Sequence, residues 1–136
     1  MKKLNLEIIT PSKVGYKGEV ISVTVPGSKG SFQILYNHAP IISSLEIGEI
    51  KIEENESTKV HYATSGGTLE LSNNKIIILA ESFERADQID VKRAEEAKQR
   101  AEERLKKKRD EQIDDLRAEL ALKRAVNRLK EANKHF

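Results

Sequence analysis

The sequence has 136 residues, with 24 Lys plus Arg against 22 Asp plus Glu, and it contains neither Cys nor Trp. These totals fit one or two small domains and exclude a disulfide framework, a thiolate zinc site and a cysteine nucleophile, so a reducing compartment is expected. The net charge of +2 gives no argument for nucleic acid, and no apolar run reaches the roughly 18 residues of a membrane-spanning helix. Distribution says more than totals. All seven Gly and all three Pro lie between Pro11 and Gly67, whereas every Arg and every Asp lies at or beyond Arg85. Two compositions therefore meet near residue 84, which predicts one domain over 1–84 and another over 85–136.

The first residues, Met1-Lys2-Lys3-Leu4-Asn5, pass at once into alternation, without the apolar stretch of a cleavable leader. From there to Phe83 apolar residues recur at every second position, as in Leu4-x-Leu6-x-Ile8, Ile21-x-Val23-x-Val25, Ile50-x-Ile52 and Leu69-x-Leu71. That period, with many β-branched residues, predicts half-buried strands. Turn-formers separate them: Gly15 and Gly18, Pro26-Gly27-Ser28-Lys29-Gly30, Asn37 to Pro40, Gly48, Gly66-Gly67, and Asn73-Asn74 before the run Ile76 to Leu79. Many short strands with glycine turns give a sandwich or a flattened barrel. About 80 residues suffice for one such core without staples.

After Ile89 the period changes. Ala94, Ala97, Ala101 and Leu105, then Ala118, Leu122, Ala125, Leu129 and Ala132, each mark one face of a helix. Asp90 is placed to cap the first helix, and pairs such as Glu96 with Arg100 and Glu119 with Lys123 support the exposed faces. Alanine seams allow close approach, so an antiparallel hairpin broken near Lys107 to Glu111 is one expected form. No Gly or Pro enforces that break, and one helix of about 45 residues, roughly 65 to 70 Å long, is equally permitted. The hairpin buries its seam, whereas the rod needs a partner to cover it. The overall class is α+β, a β-sandwich followed by two helices that can pack or extend.

Enzyme motifs are missing: no phosphate-cradling Gly-x-x-x-x-Gly-Lys-Ser/Thr, no Gly-x-Gly-x-x-Gly, no Gly-x-Ser-x-Gly and no His-Glu-x-x-His. His38, His61 and His135 are scattered and suggest no metal site. Asn37-His38-Ala39-Pro40 is a shaped loop, because Pro40 holds Ala39 extended; it is either a plain turn or a partner contact. The run Lys106 to Arg109 could touch a phosphate backbone, but it has acidic neighbours and no interleaved aromatics, so a solvated helix turn is the better account. Arg93 and Arg100, seven apart, share one helix face, and Arg124 and Arg128, four apart, share another. Where a hairpin brings these faces together, four guanidiniums converge and call for an anion such as a triphosphate; ordinary surface arginines are the alternative.

Three stretches of the first half carry a family likeness: Gly27-x-x-Gly30-x-Phe32-x-Ile34-Leu35-x-x-His38-Ala39-Pro40, Leu45-x-x-Gly48-x-Ile50, and Ser65-Gly66-Gly67-x-Leu69-Glu70-Leu71 leading into Ile76 to Glu81. With the helical second half, the chain resembles the epsilon subunit of bacterial F-type ATP synthases over essentially its whole length. Ser31, Gln33 and Tyr36 depart from the acidic residue, glycine and proline common there. The resemblance implies a ten-stranded β-sandwich and a two-helix hairpin. It implies a non-catalytic subunit docked on the gamma subunit and the c-ring, coupling rotation to ATP synthesis at the cytoplasmic face of the cell membrane, which it meets only through the complex. Ser31, Phe32, His38, Ala39 and Pro40 would form the rotor-contact loop. The extended helices would reach the alpha and beta subunits and inhibit ATP hydrolysis. Ile89-Asp90-Val91-Lys92-Arg93-Ala94 matches the family's ATP-binding motif, and the implied site is Glu84, Ile89, Asp90, Arg93, Ala94, Arg100, Arg124 and Arg128. ATP is the implied regulatory ligand, with no obligatory cofactor and no metal. The competing expectation is a β-sandwich and coiled-coil adaptor without nucleotide sensing.

Overall fold

The computed structural model describes residues 2–107 and 112–134. The chain divides into two units, Met1–Arg85 and Ala86–Phe136. In the first, the alternating segments become β1 (Leu4–Ile9), β2 (Val14–Val20), β3 (Ser22–Gly27), β4 (Gly30–Ile34), β5 (Ile41–Leu45), β6 (Gly48–Asn55), β7 (Thr58–Thr64), β8 (Gly67–Ser72), β9 (Lys75–Ala80) and β10 (Phe83–Arg85). They pair in the order β10-β7-β6-β3-β5-β8-β9-β1-β2, with β4 also on β3. All of these pairings are antiparallel except β1 with β9. Along one edge of β3 the partner changes from β6, opposite Ser22 to Thr24, to β5, opposite Gly27, while β4 occupies the other edge. That hand-over carries the ladder from one layer of the sandwich to the other.

The inward period-2 positions make the core: Leu4, Leu6, Ile8, Val23, Val25, Ile50, Ile52, Leu69, Leu71, Ile76 and Ile78 are all buried. The run Ile76 to Leu79 alternates after all, with Leu79 half exposed, because β9 has the core on one face only. Turn chemistry fits the sequence. Asn73 and Asn74 both take left-handed backbone between β8 and β9, a conformation asparagine tolerates. Gly67 has φ 155°, and a Cβ there would lie 2.0 Å from the Leu79 carbonyl oxygen, so close strand approach requires glycine.

The second unit opens with a 3₁₀ turn (Ala86–Gln88) packed on the second helix, followed by α1 (Val91–Lys107) and α2 (Gln112–Lys134). The helices pack on each other, so the seam is closed and this state is the hairpin, not the rod. Ala94, Ala101, Ala118, Ala125 and Ala132 are all at most 2% exposed. Leu105, Leu122 and Leu129 flank them half-buried. Alanine at the contact is what lets two backbones come close. The turn expected near Lys107 to Glu111 falls, beyond Lys107 itself, outside the described residues, as do Lys108 and Arg109 of the basic run and His135. An i,i+4 ion pair does form on α1, but between Lys98 and Glu102 at 3.9 Å, in the base-then-acid order. Exposed pairs gain too little in water for their geometry to be dictated by spacing.

Candidate functional site

Asp90 caps α1 with one side-chain and one main-chain oxygen. Its side-chain Oδ1 accepts from the Arg93 backbone N–H at 3.1 Å, and its carbonyl accepts from Ala94 N–H at 3.0 Å. The second is the first bond of the helix ladder, and the first satisfies an amide donor that a helix start otherwise leaves bare. Ile89 and Ala94 are buried on either side of the cap, at 4% and 0% exposure. The motif Ile89–Ala94 is thus an anchored first turn, from which the Arg93 side chain projects into solvent. Arg100, two turns on, is exposed as well.

Between the helices runs a shallow groove of about 340 Å³, lined by Ala97, Arg100, Ala101, Arg104 and Ala121. The alanines leave the room, and Arg100 with Arg104 supplies positive charge. Of the arginines singled out from sequence, this groove gathers Arg100, while Arg93, Arg124 and Arg128 lie outside its lining. Arg124 is exposed and Arg128 half-buried on α2, and both are engaged with other groups of the protein. Glu84 sits on β10 in the first unit, opposite Ala63 of β7, half-buried and likewise engaged. Arg104 was missed by spacing arguments that stopped at Arg100, although it lies eleven residues after Arg93, three helical turns on.

The loop after β4 is built by hydrogen bonds. His38 N–H donates to the Leu35 carbonyl at 3.1 Å, and the His38 ring Nδ1 lies 2.7 Å from the Ala39 carbonyl oxygen. Asn37, with φ 65°, is clamped by Asn74: its N–H donates to Asn74 Oδ1 at 2.6 Å, and Asn74 Nδ2 donates back to Asn37 Oδ1 at 3.1 Å. The clamp ties the β4–β5 loop to the β8–β9 turn, a link between positions 37 apart that local turn signals do not show. Ser31 is exposed, while Phe32 rests on Gly27, where a Cβ would stand 2.7 Å from the ring. Ala39 and Pro40 are exposed, and Leu35 and Tyr36 leave large apolar surface uncovered beside them.

Residues 3–86 match the family described as ATP synthase, Delta/Epsilon chain, beta-sandwich domain, and residues 87–133 match ATP synthase, Delta/Epsilon chain, long alpha-helix domain. The chain belongs to this family. It is 47% identical over 108 residues to the ATP synthase epsilon chain of Desulforamulus reducens, covering 79% of this chain and 80% of the relative. It is 44% identical over 110 residues to that of Priestia megaterium, covering 81% of each. Solved structures share the fold: a chain of the Euglena gracilis mitochondrial ATP synthase, at 18% identity, superposes with a TM-score of 0.83 over 99% of this chain and 83% of that one. A chain of the Tetrahymena thermophila enzyme's central stalk and c-ring assembly, at 17% identity, gives 0.60 over 98% of both. The family likeness of the Gly27–Pro40, Leu45–Ile50 and Ser65–Glu81 stretches therefore holds, as does the sandwich-plus-hairpin fold. The chain is thus of the ATP synthase epsilon type, and no helix among its described residues is long and apolar enough to cross a membrane.

Proposed function

We propose that the chain is the non-catalytic central-stalk subunit of a bacterial proton-translocating ATP synthase, peripheral to the cytoplasmic face of the cell membrane. Its sandwich unit holds the gamma subunit and the c-ring, using Ser31, Phe32 and the His38-Ala39-Pro40 loop. Its compact hairpin binds ATP, and the same helices, extended toward the alpha and beta subunits, inhibit ATP hydrolysis. The observation that carries the nucleotide part is the capped turn Ile89–Ala94: Asp90 is spent on the backbone, so the exposed Arg93 and Arg100 keep their charge for an outside anion. Glu84, Arg124 and Arg128 complete the set. Small side chains in the groove leave space that bulkier ones would fill.

Because ATP binds the hairpin alone, it acts by shifting a population. At ten times its dissociation constant it stabilises the hairpin by about 1.4 kcal/mol, a factor of ~10. Calorimetric titration of ATP into the chain and into Arg93→Ala tests this. Binding by the wild type and at least tenfold weaker binding by the variant are expected, since a guanidinium meeting phosphate is lost. Equal affinity in the two would remove the nucleotide role and leave the stalk role standing.

A further inference from the structure

Two turns of the first unit meet through side-chain amides. The turn Leu35–His38 closes on the bond from His38 N–H to the Leu35 carbonyl, and its third residue, Asn37, has φ 65°. A positive φ at that position alone is the type II pattern. The turn Ser72–Lys75 joins β8 to β9 with Asn73 and Asn74 both left-handed, at φ 49° and 62°, which is the type I′ hairpin pattern. Glycine adopts such backbone at the least cost, so conformation alone would favour glycine at 37 and 74. The side chains give asparagine its reason. Asn74 Oδ1 accepts from Asn37 N–H at 2.6 Å, and Asn74 Nδ2 donates to Asn37 Oδ1 at 3.1 Å.

The two sides of this clamp differ in firmness. Asn74 sits in a tight turn between paired strands, and its carbonyl accepts from Asn5 N–H at 2.9 Å, where β1 begins its ladder beside β9. Residues 35–40, between β4 and β5, have no ladder of their own. On their other flank Lys2 Nζ lies 5.6 Å from the centroid of the Tyr36 ring. The loop is therefore held from outside, by Asn74 above all.

What it carries is apolar. Leu35 is 52% exposed, Tyr36 38% and Ile42, just past the loop on β5, 81%, with Ala39 and Pro40 exposed between them. So much uncovered apolar surface in one short stretch marks a contact surface rather than a plain turn. Such a surface binds best when its shape already exists, because ordering a loop at the moment of contact subtracts from affinity.

We propose that Asn74 is a positioning residue for this contact: its amide holds Leu35–Pro40 in the binding shape before the rotor, the gamma subunit with the c-ring, arrives. This rests on the partner-contact role given to the loop above, to which it adds Leu35, Tyr36 and Ile42 as apolar contact residues. Asn74 acts through Asn37 and does not touch the rotor.

The test uses the full chain and the rotor of the same enzyme, gamma subunit on c-ring in detergent, with association and dissociation rates measured separately. Asn74→Gly keeps the left-handed turn and removes both clamp bonds, each of which favours the closed loop by roughly a factor of five. Association is expected to slow about fivefold while dissociation changes less than twofold, because fewer free molecules hold the binding shape. Amide exchange at His38, whose own bond to Leu35 the substitution leaves in place, should quicken by about the same factor. Asn37→Gly loses only the return bond, so its effect should be smaller, and in the Asn74→Gly background it should add less than a factor of two. Asn73→Gly, in the same turn but outside the clamp, is expected to leave both readouts unchanged. Unchanged exchange at His38 in Asn74→Gly overturns the clamp. A loss carried by dissociation alone makes Asn74 a direct contact and overturns its positioning role. Leu35→Ser combined with Tyr36→Ser should weaken rotor binding at least tenfold, since two large apolar contacts are lost. If that variant binds as the wild type does, the contact role of the loop falls and the positioning role with it, while exchange at His38 still decides separately whether Asn74 holds the turn.

Discussion

Tyr16 shows how one side chain can report on its surroundings. Burial is the main cause that pushes its phenol well above the ordinary value of 10.0, and the nearby Glu54 carboxylate, which also accepts a hydrogen bond from it, pushes the same way. Both effects disfavour the phenolate. A group that holds its proton more tightly when folded contributes stability that is present in full below its unfolded pKa of about 10. That contribution is lost as pH rises from there toward the higher folded value. The expected outcome is a melting temperature that falls steeply above about pH 10 in the wild type and more gently in Tyr16→Phe, which keeps the ring but cannot ionise. Matching alkaline slopes in the two proteins would show that the hydroxyl is not shielded. Arg93 lies at the other extreme. It is exposed, its backbone is capped by Asp90, and its head is placed by the first turn of the helix rather than by packing around it.

At the scale of elements, the strands and helices were legible because their signals are local: Leu4-Leu6-Ile8 and Ile50-Ile52 repeat every second residue, and Ala94-Ala101 and Ala118-Ala125-Ala132 repeat every seventh. The cap at Asp90 was legible for the same reason. What joins distant segments was not. The Asn37–Asn74 clamp and the rings of Tyr16, Tyr62 and Phe83 bring together positions whose spacing carries no period, and Arg104 enters the groove only once α2 supplies its other wall. The alanine seam also makes a separable prediction. Leucine is nearly as good a helix former as alanine, so Ala125→Leu leaves each helix intact by propensity. At a position 2% exposed it overpacks the contact, at a cost of about 1–3 kcal/mol. ATP affinity should therefore weaken at least fivefold, because binding must now draw on a rarer hairpin, while far-ultraviolet circular dichroism keeps its helical signal. An unchanged affinity would mean that nucleotide binding does not need the closed seam.

For the molecule as a whole, the decisive quantity is the balance between hairpin and rod. Neither Gly nor Pro occurs after Gly67, so nothing in the sequence forbids α1 and α2 from running on as one helix. What selects the hairpin is burial of the seam, and alanines bury little area each, so this preference is one a competing surface can reverse. A rod-binding partner would draw the equilibrium one way and ATP the other, each by its own differential affinity. Labels at Lys92 and Lys130 measure it directly. Packed helices lie with axes about 8–10 Å apart, which in an antiparallel pair brings both labels to the same end. In a continuous helix 38 residues separate them, or about 57 Å at 1.5 Å per residue. In the assembled ATP synthase without ATP, a long-distance population is expected alongside the short one. Adding ATP at ten times its dissociation constant should shift their ratio toward the short distance by a factor of ~10. A single short distance under every condition would show that the helices are a fixed hairpin, and the inhibitory role assigned to their extension would fall with it.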